Sequence, residues 1–160
     1  MTRRNSLKKK NCSSTWNPTN PQTTGMVHPK KHLGQHFLTD PHLAEKAVTA
    51  LSQDVEALLE IGPGKGILTR IILEKEPDIF RVIEIDGEAV EYLTQHFPGL
   101  EGKIIHADFL KADLKQYFPD KFAVIGNFPY NISSQILFRV LEHRQQVEEV
   151  VGMFQKEVAE

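Results

Sequence analysis

From residue 39 onward the polar and apolar positions change pattern repeatedly, and each change predicts an element. "TDPHLAEKAVTAL" opens with Asp40, a candidate N-cap, and Pro41, whose fixed φ suits the first helical position, so a helix begins the fold. "VEALLEIG" follows as a short apolar run, the pattern of a buried strand. The chain then alternates. "ILTRIILEKE" reads as a helix, "IFRVIEID" as a strand, and "GEAVEYLTQHF" as a helix halted at Pro98. "KIIHAD" and "KFAVIGN" are two more strands, "SSQILFRVLEHR" is a helix, and "VEEVVGMFQ" begins a fifth strand. Strands alternating with helices predict an α/β fold, a parallel sheet covered on both faces, and neither repeats nor low-complexity tracts interrupt it.

Composition adds a division to this picture. The chain has 160 residues, 40% hydrophobic and 25% charged, which suits one globular domain with a real core. The net charge of −2 hides an uneven distribution, because Arg3, Arg4, Lys8, Lys9, Lys10, Lys30 and Lys31 fall within the first 32 residues and no acid does. Residues 1–28 read as a disordered basic leader, with Met26 an alternative start and Pro18 and Pro21 opposing an amphipathic targeting helix. Residues 29–160 read as the domain. Cys12 is the only cysteine, which excludes an intrachain disulfide and a cysteine-based metal cluster and predicts a reducing compartment. No apolar run is long enough to span a membrane, and the histidines have no metal-ligand spacing. The triplets "NCS" and "NIS" are chance matches to a glycosylation signal.

Candidate chemistry gathers at the ends of the strands. "EIGPGKG" closes the first strand with a G-x-G-x-G turn, whose backbone can approach a ligand closely while the next helix points free N–H groups at an anion. A glycine-rich turn without a ligand is the plain alternative. A Walker A loop is excluded because Gly66 follows Lys65, and Ile67 stands where a dinucleotide fingerprint wants its third glycine. Glu84 ends the second strand 18 residues after Gly66, the distance at which an acid accepts hydrogen bonds from ribose hydroxyls; the alternative is a solvated strand-end Glu. Asp86 is a candidate cap for the next helix. Asp108 ends the third strand and could accept from an adenine amino group, with Phe109 or Ile85 covering the ring, or could simply make a turn. Asn127 ends the fourth.

The stretch "GNFPYNISS" predicts what such a site would do. An exocyclic amino nitrogen on adenine is a poor nucleophile because its lone pair is delocalised into the ring. If the Asn127 side-chain oxygen and the Phe128 carbonyl accepted both of its N–H bonds, the nitrogen would be drawn towards tetrahedral geometry and its lone pair freed. Pro129 fixes the backbone that aims the carbonyl, and Tyr130 offers a face on which an extruded base can stack.

Taken in order, "KKHLGQHFL", "EIGPGKGILT", "VIEID", "HADFL", "GNFPYNISS" and "MFQKEVAE" resemble the ribosomal RNA adenine N6,N6-dimethyltransferases, most of all the bacterial small-subunit type, over residues 30–160. The resemblance implies a Rossmann-like class I S-adenosylmethionine-dependent methyltransferase fold that dimethylates two adjacent adenosines near the 3′ end of small-subunit rRNA. It places cofactor contacts at His36, Leu38, Gly62, Gly64, Glu84, Asp108 and Asn127, and catalysis at Asn127, Phe128, Pro129 and Tyr130. His36 stands where the family commonly carries Asn, and imidazole reproduces only part of an amide's donors and acceptors; a capping or packing role is the alternative. The partner implied is the small-subunit rRNA or its pre-ribosomal particle, met by a cytoplasmic, metal-free monomer.

Family members continue with further strands and a smaller helical domain, so the chain is expected to be the N-terminal part of the catalytic domain, with an incomplete sheet whose edge is exposed. The rival functions are a large-subunit adenine methyltransferase of the macrolide-resistance type, a DNA adenine methyltransferase, and a ribosome-assembly factor that binds without transferring methyl groups.

Overall fold

The computed structural model describes residues 38–154. The predicted leader, residues 1–28, and His36 lie outside them, as does most of "MFQKEVAE". Five strands and four helices follow in the order α1 (Pro41–Thr49), β1 (Ala57–Ile61), α2 (Ile67–Lys75), β2 (Ile79–Glu84), α3 (Gly87–His96), β3 (Ile104–His106), β4 (Phe122–Asn127), α4 (Ser133–Glu142) and β5 (Val147–Met153), alternating except that no α-helix separates β3 from β4. The strands form one sheet in the order β3-β2-β1-β4-β5, and every pairing is parallel.

Local chemistry explains most of the boundaries. Asp40 caps α1, its Oδ1 accepting from the backbone N–H of His42 at 2.9 Å, and Pro41 takes the first helical position. Asp86 caps α3 by accepting from the N–H of Glu88 at 3.0 Å. Helix α3 stops before Pro98, where a 3-10 turn over Pro98–Leu100 takes over. Helix α4 ends at Glu142, earlier than its apolar pattern suggests, because His143–Gln146 turn the chain back into β5. The segment after β3 holds a 3-10 turn, Leu114–Gln116, capped by Asp113 through the N–H of Lys115 at 3.2 Å, and the sequence pattern gave no sign of it.

Both faces of the sheet are covered, and successive residues of each strand serve opposite sides. Leu59, Ile61, Ile83, Ile105 and Val124 pack with Ile136 and Val140 of α4 and with Phe109, Leu114 and Phe118. Leu58, Val82, Ala123 and Ile125 pack instead with Val48 of α1, Leu68 and Ile72 of α2 and Leu93 of α3. All five residues of β1 are buried, which is why its sequence shows a continuous apolar run instead of alternation. Within that run Glu60 is the exception.

The strand order fixes where a ligand can sit. The chain steps outward from β1 to β2 and β3, then returns to lay β4 on the other side of β1. Helices therefore leave β1 and β4 in opposite directions, and a crevice opens between their carboxyl ends. The two strands approach closely there, because a Cβ on Gly126 would lie only 2.7 Å from the carbonyl oxygen of Ile61.

Candidate active site

A cavity of about 250 Å³ occupies that crevice. Its walls come from Leu38, the glycine loop after β1, the ends of β2 and β4, and the segments 107–110 and 127–132.

The loop reaches the cavity through three left-handed residues, Gly62 (φ 64°), Gly64 (φ 55°) and Gly66 (φ 75°). At Gly66 space is as restrictive as conformation, since a Cβ would lie 2.5 Å from Cζ of Phe97. Gly66 also occupies the N-cap of α2 and brings no side chain to it, so none of the helix's first N–H groups is capped by its own N-cap residue.

Glu84 is only 4% exposed, which sets aside the reading of a solvated strand-end acid. Its Oε1 accepts from the N–H groups of Ile85 and Asp86, each at 2.9 Å, and its Oε2 accepts from Gly64 at 3.3 Å. The carboxylate thus ties the tip of β2 to the glycine loop while still lining the cavity. Burial raises its pKa above the ordinary carboxylate value; the three backbone donors oppose that rise and the nearby Asp86 charge adds to it.

Asp108 lies two residues beyond the end of β3, which stops at His106, so it sits in a turn and does not end the strand as the pattern suggested. Its Oδ1 accepts from the N–H of Leu110 at 3.0 Å and its Oδ2 is 3.5 Å from the ammonium of Lys111. The turn-forming role is therefore present, and the side chain lines the cavity as well. Phe109, buried, and Ile85, 49% exposed, flank the same space.

Asn127 ends β4, and the two aromatic residues that follow divide between inside and outside. Phe128 is 3% exposed and its N–H donates to the Met153 carbonyl at 3.1 Å, whereas Tyr130 is 47% exposed at the cavity mouth. The Tyr130 carbonyl accepts from the Ser133 hydroxyl at 3.2 Å, which joins the motif to the first turn of α4.

Sequence reasoning gave no role to Glu60, which also lines the cavity. It is fully buried in β1, with Oε2 accepting from the Thr69 hydroxyl at 2.7 Å and Oε1 without a hydrogen-bond partner. Desolvation pushes its carboxyl up to about 8; the Thr69 hydrogen bond lowers it and the charge of Glu84 raises it. The signal was one acid inside an otherwise apolar strand, with Thr69 nine residues further on. Among the described residues no cluster of His, Cys, Asp and Glu could hold a metal ion, and no helix is long and apolar enough to cross a membrane.

The sequence model of the family described as "Ribosomal RNA adenine dimethylase" matches residues 26–160. The chain belongs to that family. The "Ribosomal RNA small subunit methyltransferase A" of Cytophaga hutchinsonii is 57% identical over 136 residues, a match covering 84% of this chain and 53% of that protein. Among solved structures, the 23S rRNA methyltransferase ErmE is 33% identical with a TM-score of 0.62, over 78% of this chain and 50% of that one. A dimethyladenosine transferase from Plasmodium falciparum is 29% identical with a TM-score of 0.61, over 78% of this chain and 45% of that one. This member of the rRNA adenine dimethylase family thus has the class I S-adenosylmethionine-dependent methyltransferase fold, and it spans about half the length of the relatives it matches.

Proposed function

We propose that the intact protein transfers methyl groups from S-adenosylmethionine to N6 of two adjacent adenosines near the 3′ end of small-subunit rRNA. One observation carries the reading: the glycine loop, Glu84, Asp108 and the Asn127–Tyr130 motif converge on a single cavity at the switch point of the sheet. The 57% identity to a protein named for the small subunit favours that RNA over the large-subunit target named for ErmE.

The residues present fit the donor. Glu84, buried with its carboxylate on the cavity, suits a pair of ribose hydroxyls. Ile85 and Phe109 supply apolar cover for a purine, and Asp108 an acceptor for its amino group. The loop from Gly62 to Gly66 and the N-terminus of α2 suit a carboxylate. Leu38 adds apolar wall, and His36 is assigned a neighbouring contact by the family motif alone. Bound there, S-adenosylmethionine supplies an electrophilic methyl group.

The chain's own contribution is to make N6 nucleophilic and to hold it still. The Asn127 side-chain oxygen and the Phe128 carbonyl would accept the two N6–H bonds, drawing the nitrogen lone pair out of the ring π system and towards the methyl group that the bound donor would supply. The proton displaced from N6 passes to water. Pro129 restricts the backbone next to the Phe128 carbonyl, and Tyr130, exposed at the mouth, stacks on the extruded adenine. These acceptors are aimed at charge that develops on N6–H only as the bond forms, so they favour the transition state over the bound substrate.

The test is methyl transfer by the intact protein to unmethylated small-subunit RNA, large-subunit RNA and duplex DNA in parallel, read by mass spectrometry of nucleosides. N6,N6-dimethyladenosine at two neighbouring positions of the small-subunit RNA is expected. Transfer to large-subunit RNA or to DNA alone, or to none of the three, overturns the proposal.

A further inference from the structure

The ring of Phe128 sits in a slot built by Gly126 of its own motif and by Gly152 and Phe154, which are remote from it in sequence. Gly126 and Gly152 are register partners on β4 and β5. A Cβ on Gly126 would lie 2.7 Å from Cε1 of Phe128, and a Cβ on Gly152 would lie 2.6 Å from Cε2 of the same ring. Phe154 closes the slot edge-on, its ring centroid 5.3 Å from that of Phe128 at an interplanar angle of 75°.

Neither glycine is needed for its backbone conformation, because the left-handed glycines among the described residues are Gly62, Gly64, Gly66 and Gly102. Space is what each supplies. At Gly126 the Ile61 carbonyl gives a second reason to exclude a Cβ. At Gly152 the three nearest atoms to a Cβ all belong to the Phe128 and Phe154 rings and none to the backbone, so this glycine reports on the slot more directly than Gly126 does.

We propose that Gly152 and Phe154 are positioning residues that hold the Phe128 carbonyl on its target, an inference that rests on the function proposed above. Three constraints meet at Phe128. Its N–H donates to the Met153 carbonyl at 3.1 Å, its ring fills the slot at 3% exposure, and Pro129 restricts the backbone on its far side. The acceptor that draws in one N6–H bond is thereby fixed from β5 as well as from its own motif. A methyl group at position 152 must push the ring aside by about 1 Å to reach ordinary contact, roughly 3.5–4 Å between carbons. The ring is hemmed by Gly126 and Gly152 on its edges and by Phe154 beside it, so the push passes to the backbone of Phe128. A misplacement of about 1 Å at a reacting group can lower a rate about a hundred-fold.

The experiment compares Gly152→Ala, Phe128→Leu and the double variant of the intact protein with the unaltered protein. Single-turnover N6 methylation is measured at saturating S-adenosylmethionine, alongside calorimetric affinity for the donor and for small-subunit RNA. Gly152→Ala should be about 10- to 100-fold slower with both affinities held within about two-fold, and Phe128→Leu in the same chain, by making room for the methyl, should recover about ten-fold. A merely structural glycine would lower the melting temperature without that separation of rate from affinity. Unchanged turnover in Gly152→Ala, a loss carried by donor affinity, or no recovery in the double variant overturns the inference. Absence of N6 methylation by the unaltered protein overturns the functional proposal itself, and the positioning role with it.

Discussion

Glu60 gives the sharpest quantitative consequence of the fold. Its carboxyl is fully buried in β1, with one oxygen bonded to Thr69 and the other without a partner, and desolvation pushes its pKa up to about 8 from an ordinary value of 4.5. At neutral pH the folded protein therefore keeps a proton that the unfolded chain has released. Folding binds that proton, so this group's contribution to stability is complete below about pH 4.5 and is lost as the pH rises through the folded value near 8. Each pH unit inside the window corresponds to about 1.4 kcal/mol, so on the order of 3 kcal/mol is lost between pH 4.5 and 7. Glu60→Gln keeps the volume, still accepts the Thr69 hydroxyl, and does not titrate; leaving its amide N–H groups poorly paired costs about 1 kcal/mol. The variant should be more stable than the unaltered protein by about 2 kcal/mol at pH 7 and no more stable at pH 5. Urea unfolding followed by circular dichroism at pH 5, 6, 7 and 8 measures this, and the difference between the two proteins should widen with pH. Parallel stability profiles would refute the reasoning, because they would mean that Glu60 is ionised to the same degree in the folded and unfolded states.

Two predictions address the ligand sites. Glu84→Ala should weaken S-adenosylmethionine binding by about 1.5–3 kcal/mol for each charge-assisted hydrogen bond lost, measured by calorimetry, and unchanged affinity would remove Glu84 from the donor site. Tyr130→Ala should weaken capture of the target adenine by about 1–3 kcal/mol, whereas Tyr130→Phe should be mild because the ring face is kept; binding of an RNA with a fluorescent purine at the target position reports both, and a Phe variant as impaired as the Ala variant would assign the role to the hydroxyl.

The order of elements was legible because the strands are short and mostly apolar, and because two of the helices, α1 and α3, open on an aspartate cap. Asp40 and Asp86 cap as their positions suggest, and Pro41 and Pro98 mark a start and a stop. The parallel sheet followed from the alternation, and with it the placement of Gly62, Glu84 and Asn127 at one edge. What stayed hidden depends on contacts between distant segments. The continuous run "KIIHAD" suggests a strand ending at Asp108, but β3 stops at His106 and Asp108 spends one oxygen on the turn to Leu110. Glu60 stands beside the glycine loop in sequence, and only the packing shows its carboxyl to be fully buried. Gly152 reads as an ordinary strand residue until the Phe128 ring is found against it.

The central claim, that Asn127 and the Phe128 carbonyl activate the adenine amino group, is tested most directly by Asn127→Ala. The measurement is the single-turnover rate of N6 methylation of small-subunit RNA by the intact protein, taken at saturating S-adenosylmethionine because Asn127 also borders the donor site. By analogy with the loss of one preorganised oxyanion donor, the rate should fall on the order of a hundred- to a thousand-fold while RNA affinity stays within about two-fold. A rate within a few-fold of the unaltered protein, or a loss matched by an equal loss of RNA affinity, would contradict the account.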